Sequence, residues 1–351
     1  MNNQKMVSEA VSVLSHLISI PSVSRNETEV ADYIFSYLKE HGANPQRHCN
    51  NVWCEQPVEK GKRPTLLLNA HLDTVKPAAS WQHNPFEPTI EKDRLYGLGS
   101  NDCGGGLVSL MLTYLSLQNE ASLPYHLVFL ASAEEEVSGK NGIEAALPLL
   151  PTIDVAIVGE PTGMQPAIAE KGLMVLDCTA HGVSGHAARN EGVNAITKAM
   201  KNIEWFSTYQ FKNQTELLGP VKMTVTIIQA GTQHNVIPDT CTFTVDVRAN
   251  ECYTNEEILS IVHQHVDCNV VPRSTRLHSS QISIEHPLVQ AAISQGRIPF
   301  GSPTLSDQAL MRFPSFKMGP GQSARSHTAD EYICLNEIDD ALTMYRKMIY
   351  E

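Results

Sequence analysis

Three short apolar runs constrain this chain most: TLLLNA at 65–70, HLVFLASA at 126–133 and VAIVG at 155–159. None of them alternates polar with apolar residues, so none suits a strand with one wet face. Each reads as a central strand covered on both sides, the pattern of a mostly parallel sheet. Parallel neighbours need crossovers, and GGLVSLMLTYLSLQ, between the first two runs, has the character of a crossover helix. Upstream, EAVSVLSHLISI has helical spacing and stops at Pro21. SRNE at 24–27 predicts a capping box ahead of VADYIFSYLKEHG, with Gly42 at that helix's C-terminus. This part of the chain is expected to be α/β.

From about residue 176 the pattern changes. GVNAITKAMKNIEWFSTY and TNEEILSIVHQHV have helical spacing. KMTVTIIQAG, CTFTVDVRA and QISIE read as strands, with the turn-rich TQHNVIPDT between the first two. This combination predicts a small α+β domain. HPLVQAAISQG, FPSFKMG and a last helix then return to the first domain. A chain of 351 residues also exceeds one comfortable core. The expected division is 1–175 plus 281–351 as one domain, with 176–280 inserted into it.

Composition excludes several classes. A formal charge of −12 argues against nucleic acid or an anionic membrane as partner. No apolar run approaches ~20 residues, so no membrane span is expected. The first 25 residues lack a basic stretch followed by an apolar core, which predicts no signal peptide and a cytoplasmic protein. Eight scattered cysteines without a CxxC pair read as reduced thiols.

Ligands of open parallel sheets bind beyond the carboxyl ends of the strands. There TLLLNA leads into His71 and Asp73, HLVFLASA into Glu134, Glu135 and Glu136, and VAIVG into Glu160. Asp102 follows the turn GLGSN and precedes three glycines at a helix start. So many acids repel one another unless a cation or protons neutralise them. Imidazole with carboxylate, and no thiolate pair, suits Zn, Mn or Co. GVSGH at 182–186 lacks the second glycine of a serine-hydrolase elbow, and GLGSND has aspartate where a dinucleotide loop needs its third glycine. HQH at 263–265 is expected to face solvent, and Trp53, Trp81 and Trp205 to pack.

HLDTV, GLGSNDCGGG, SAEEEVSG, VGEPTG and SARSHTADEY occur in the order of the motifs of the M20 metallopeptidase and deacylase family. The chain resembles that family from about residue 15 to 335. Acetylornithine deacetylase, which the motifs resemble most, and succinyl-diaminopimelate desuccinylase belong to it. The resemblance implies an α/β di-metal hydrolase domain with a mostly parallel sheet and an inserted α+β lid and dimerisation domain. Asp102 would bridge two divalent ions, most readily Zn, with Co or Mn as alternatives. His71 and Glu160 would complete one ion, Glu136 and His327 the other. Asp73 would accept the other N–H of His71, and Glu135 would be the general base. Shifting the acidic triplet by one would give the base and ligand roles to Glu134 and Glu135. Family members also carry a cis peptide after the bridging aspartate, here Asp102–Cys103.

In the inserted domain, His186 would reach the partner's active site in a homodimer, and Asn235 and Arg248 would contact the substrate carboxylate. Lys171 is a further carboxylate-binding candidate, and Gly319, in Gly319-Pro320-Gly321, would lie beside the substrate. The activity implied is hydrolysis of a small N-acyl amino acid, N-acyl-L-ornithine of arginine biosynthesis. N-succinyl-ornithine, succinyl-diaminopimelate and dipeptides are alternatives. A metal-binding scaffold without catalysis is the non-enzyme alternative, against which stands the presence of every implied ligand and the base.

Overall fold

The computed structural model describes residues 3–350. Thr65–His71 is buried along all seven residues, in the middle of a nine-stranded sheet. The strand order is Gln46–His48, Asn51–Glu55, His126–Ser132, Thr65–His71, Val155–Val158, Ser315–Lys317, Ala167–Glu170, Ser280–Gln281, with Phe300–Ser302 also paired to Ala167–Glu170. The four strands from His126–Ser132 to Ser315–Lys317 are mutually parallel. Asn51–Glu55 and Gln46–His48 continue the sheet antiparallel. The sheet is thus mostly parallel and mixed at its flanks.

The apolar runs lack alternation because both faces are covered. Leu66, Leu68 and Ala70 belong to a core with Leu14, Ile34, Leu110, Leu288 and Leu342, one from each of five helices. Leu67 joins a second core with Trp53, Val128, Leu130, Ile143 and Val158. The chain fills the strand on one side of Thr65–His71 first, His126–Ser132, and then crosses to Val155–Val158 on the other. That reversal is a topological switch point, where the turns leaving adjacent strands diverge and open a crevice.

Two compact units divide the chain: residues 1–168, 281–300 and 306–351, and residues 169–280 with 301–305. The second contains a four-stranded antiparallel sheet, ordered Lys222–Ala230, Thr240–Ala249, Gly172–His181, Asn269–Pro272. Helices Ala195–Thr208 and Asn255–His265 share its core through Ala199, Phe206, Ile258 and Val262. A boundary at 175/176 falls inside the Gly172–His181 strand, which is paired along its whole length with Thr240–Ala249, so the units part at 168/169 instead.

Other expectations are corrected locally. The helix after SRNE begins at Thr28, with no side-chain cap at Glu27. Ser24 Oγ donates to Asp73 at 2.7 Å, and Glu27 accepts from Arg25 N and Asn50 Nδ2, so tertiary partners take both groups of the expected box. The capping box that does form is Thr254 with Glu257. Of QISIE, only Gln281 lies in a strand, the two-residue Ser280–Gln281. Among the described residues no helix is long and apolar enough to cross a membrane.

One glycine sets how closely the crossover helix approaches the sheet. Gly106 lies in helix Gly105–Leu117, and a Cβ there would sit 1.7 Å from the Gly159 carbonyl oxygen, just before Glu160. At an open helix position Gly→Ala gains up to ~1 kcal/mol. Here backbone meets backbone, and Gly106→Ala is expected to lower stability by about 1–3 kcal/mol. Urea unfolding of the full chain measures it; a stabilised variant would show that helix and strand do not meet this closely.

Candidate active site

His71 is the last residue of the Thr65–His71 strand and its ring is almost fully enclosed. Nδ1 lies 2.9 Å from the main-chain carbonyl of Asp73 and 3.6 Å from that residue's carboxylate. The expected carboxylate partner is therefore replaced by the carbonyl two residues on. The reason is that the Asp73 carboxylate is already engaged. It accepts the main-chain N–H of Glu135 at 3.0 Å, that of Glu136 at 3.2 Å, and the Ser24 hydroxyl. Asp73 thus holds the acidic turn after one strand to the loop after its neighbour.

With Nδ1 so occupied, Nε2 faces Asp102 Oδ1 at 3.2 Å and Glu160 Oε1 at 3.8 Å. The other Asp102 oxygen is 3.6 Å from His327 Nε2, and His327 Nε2 is 2.9 Å from Glu136 Oε2. Asp102 therefore stands between two imidazoles, each of which also meets a glutamate. Asp102–Cys103 is a cis peptide, as expected from the resemblance. Glu134 turns away: its carboxylate accepts from Asn141 Nδ2 at 3.0 Å and from Asn141 N.

Among the protein's own groups the electrostatics are strained. Burial pushes the Glu135 carboxyl well above the usual range, opposed by His71 and assisted by Glu160, Asp307 and Glu136. For His71, burial favours the neutral ring, but Cys103, Asp102 and Asp73 together raise it well above the ordinary value. Burial raises Asp102 too, yet His71, Ser326 and His327 leave it lowered overall. Glu136 holds His327 up at about 9. A pocket in which carboxylates outnumber the cations that face them is suited to a multivalent cation. The donor set fits one: ligand atoms of His71, Asp102 and Glu136 lie within 4.8 Å of one another, as do those of His71, Cys103 and Glu160. In the second group the Cys103 S–H donates to the His71 carbonyl at 3.4 Å, and burial raises its thiol.

Lys171, His186, Asn235 and Arg248 belong to the smaller unit. Lys171 Nζ donates to the Pro220 carbonyl, and Arg248 pairs with Asp246 through Nε and Nη2 at 2.8 and 3.1 Å. His186 and Asn235 are exposed; His186 Nδ1 accepts from Ala188 N, which leaves Nε2 facing outward from that turn. In the larger unit, both main-chain groups of Gly319 are engaged with Thr162 or Met164. A Cβ there would meet the Glu160 carbonyl at 2.5 Å, so Gly319 fits by close packing. The HQH histidines are exposed, and Trp205 packs against Phe206, Tyr209 and His265.

Three groups at the site have no counterpart in the sequence reading. Glu331, 1% exposed, accepts three main-chain N–H groups around Asp102, and burial pushes it up to about 7. Asn101 is fully buried beside it. Asp307 accepts from the Ser132 hydroxyl behind the acidic turn, and burial raises it to about 6. The acid pair in ADEY and the SND and SDQ tripeptides were the available signals.

Comparison with known proteins bears on what this arrangement belongs to. A profile of peptidase family M20/M25/M40 matches residues 67–351. Succinyl-diaminopimelate desuccinylase 2 of Ruegeria sp. (strain TM1040) is 25% identical over 378 residues, covering 97% of this chain and 94% of that one. The putative succinyl-diaminopimelate desuccinylase DapE of Mycobacterium tuberculosis (strain ATCC 25618 / H37Rv) is 28% identical over 363 residues, covering 97% and 98%. The fold is that of aminopeptidase PepT from Bacillus cereus, with TM-score 0.78 at 18% identity, covering 100% and 98%. It is also that of the YXEP protein of Bacillus subtilis, described as a dinuclear metal binding peptidase, with TM-score 0.72 at 17% identity, covering 99% and 98%. The profile takes in four-fifths of the sequence, from the strand before His71 to the last residue, and on that match this chain belongs to peptidase family M20/M25/M40.

Proposed function

We propose that this chain is a metal-dependent hydrolase of linear amide bonds that removes an acyl group from an N-acyl amino acid. The observation that carries the reading is Asp102 between two histidines, with Glu160 beside the first and Glu136 beside the second. His71, Asp102 and Glu160 would hold one divalent ion, and Asp102, Glu136 and His327 the other. Zn is the favoured identity, with Co or Mn as alternatives. When bound, the ions supply Lewis-acid polarisation of the scissile carbonyl and a more acidic water.

The chain's own groups would do the rest. Glu135 is tied by its amide to Asp73, and its carboxyl, raised by desolvation, has a high proton affinity. As general base it would take a proton from the attacking water and return it to the leaving nitrogen, so that amide and water become carboxylate and amine. The carboxylate of Glu134, turned away from the two imidazoles onto Asn141, supports this register over the one displaced by a residue. Glu135→Ala is expected to retain both metals and lose activity by several orders of magnitude, whereas Glu136→Ala loses metal as well. Metal analysis beside turnover tests this; a metal-retaining inactive Glu134→Ala would shift the roles by one.

For the substrate, the motifs favour N-acyl-L-ornithine. A second reading, N-succinyl-diaminopimelate, is favoured by the relatives named for that desuccinylase. Both are N-acylated diamino acids with a free carboxylate, for which Asn235, Arg248 and Lys171 are candidate contacts. Assays of N-acetyl-ornithine, N-succinyl-ornithine, succinyl-diaminopimelate and a dipeptide should give the highest kcat/KM for one of the first three. A clear preference for the dipeptide would replace the deacylase reading with a peptidase one.

We place a second copy of the chain against the smaller unit. Lys222–Ala230 is an edge strand with Ile227 and Ile228 half-exposed, and Ile196 and Met200 are exposed on helix Ala195–Thr208. An uncovered apolar edge of this kind invites pairing. His186 would then act in the partner's site on the developing oxyanion. Co-expression of Glu135→Ala and His186→Ala chains tests it, because each mixed dimer would contain one site with both residues intact. About a quarter of all sites should work if pairing is random and two-fold. No recovery in a preparation shown to contain mixed dimers would put His186 in its own chain's site or in none.

A further inference from the structure

The loop carrying Asp102 and the loop carrying His327 are laced together by two buried side chains, one reaching each way. Glu331 Oε1 accepts the main-chain N–H of Asn101 and of Asp102, both at 2.8 Å, and Oε2 accepts that of Gly99 at 3.1 Å. Returning, Asn101 Oδ1 accepts the Gln322 N–H at 2.9 Å. Its Nδ2 donates to the Gln322 carbonyl at 3.1 Å and to the hydroxyl of Ser326, next to His327, at 3.3 Å. Glu331 also uses its own carbonyl, which accepts from Gly97 N.

We propose that Glu331 and Asn101 are positioning residues that fix Asp102 relative to His327, and through that spacing set the affinity of the site for its second cation. The inference rests on the metal reading above. A carboxylate 1% exposed and close to the Asp102 carboxylate is a poor device for stability alone. It is a good one for geometry, because two oxygens satisfied by three amides of one turn leave that turn no other arrangement of equal energy. Asn101 contributes the complementary hold with an amide whose oxygen and nitrogen are both used. Each acts through groups beside a ligand: Glu331 through main-chain amides, and Asn101 through the Gln322 main chain and the Ser326 hydroxyl.

Glu331→Gln keeps the shape and turns an NH₂ group toward amides that are themselves donors. Asn101→Asp keeps the shape and removes the donation to Gln322 and Ser326. Each is expected to weaken binding of the more loosely held Zn ion by about 10–100-fold, the usual effect of losing an outer hold on a ligand. Chelator-competition titration of the metal-free full-length chain measures this. Hydrogen exchange at Gly99, Asn101 and Asp102 should quicken in the same metal-free variants. Wild-type chain that takes up no Zn would overturn the metal reading itself. Wild-type uptake matched by both variants, or variants less stable but binding Zn undiminished, would overturn the positioning role alone. If Glu331→Gln does not fold, Asn101→Asp decides by the same two measurements.

Discussion

Concentrated like charge is the constraint on which the rest of this structure depends. Asp102, Glu135, Glu136 and Glu160 gather around His71 and His327, with Asp73, Asp307 and Glu331 close behind them. Two like charges 4 Å apart near a protein surface repel by about 4 kcal/mol. Such a group stays together only if the loops that carry it are held from the side away from the site. Main-chain amides do most of this. Asp73 holds the amides of Glu135 and Glu136, Glu27 that of Glu134, and Glu331 those of Gly99, Asn101 and Asp102. Acids behind the cluster anchor the loops of acids that face the two imidazoles.

The sheet makes the gathering possible. In a strand buried on both faces, a polar side chain has no outlet along its length, so polar groups concentrate where the strand ends. Thr65–His71, His126–Ser132 and Val155–Val158 run parallel and in register, with His71 level with Ser132 and Asn69 with Val158. The turns leaving them therefore emerge at one height, and His71, the acidic triplet and Glu160 meet without long connections. Gly106 lets the crossover helix close on Gly159 from behind.

This logic also decides what could be read from the sequence. His71, Asp73, the acidic triplet and Glu160 were legible because each follows an apolar run at a strand end, and Asp102 because it stands between a turn and a glycine-rich helix start. Glu331 and Asn101 were not, because most of their partners are main-chain groups, which every loop has. Asp307 was hidden similarly, since its partner Ser132 belongs to a strand far away in the chain. The capping box at 24–27 failed for the opposite reason. The local pattern was right, but Asp73 competed for Ser24, and Arg25 and Asn50 for Glu27. Short-range rules hold where no buried charge offers the same groups a stronger partner, as at Thr254 and Glu257.

The backbone carries part of the cost. Eight described non-glycine residues have positive φ, and four of them, Glu134, Ser138, His327 and Asp330, lie in the two loops that present Glu135, Glu136 and His327. Each such residue costs of order 1–3 kcal/mol. Glycine would take those angles with less strain, so the side chains must offset it. At Glu134 the carboxylate binds Asn141 at both its amide groups, closing the acidic turn from outside. At Asp330 the carboxylate accepts from Gln82 N, His83 N and His83 Nδ1, which fixes the chain three residues beyond His327. A glycine at either position would relax the dihedral and release the loop. The left-handed turn at Glu134 directs two successive amides at Asp73, and the one at Asp330 lets Asp330 and Glu331 grip two different loops in sequence. Strain and anchoring are thus parts of one arrangement: the sharp turns bring the acids together, and the acids' own carboxylates keep the turns sharp.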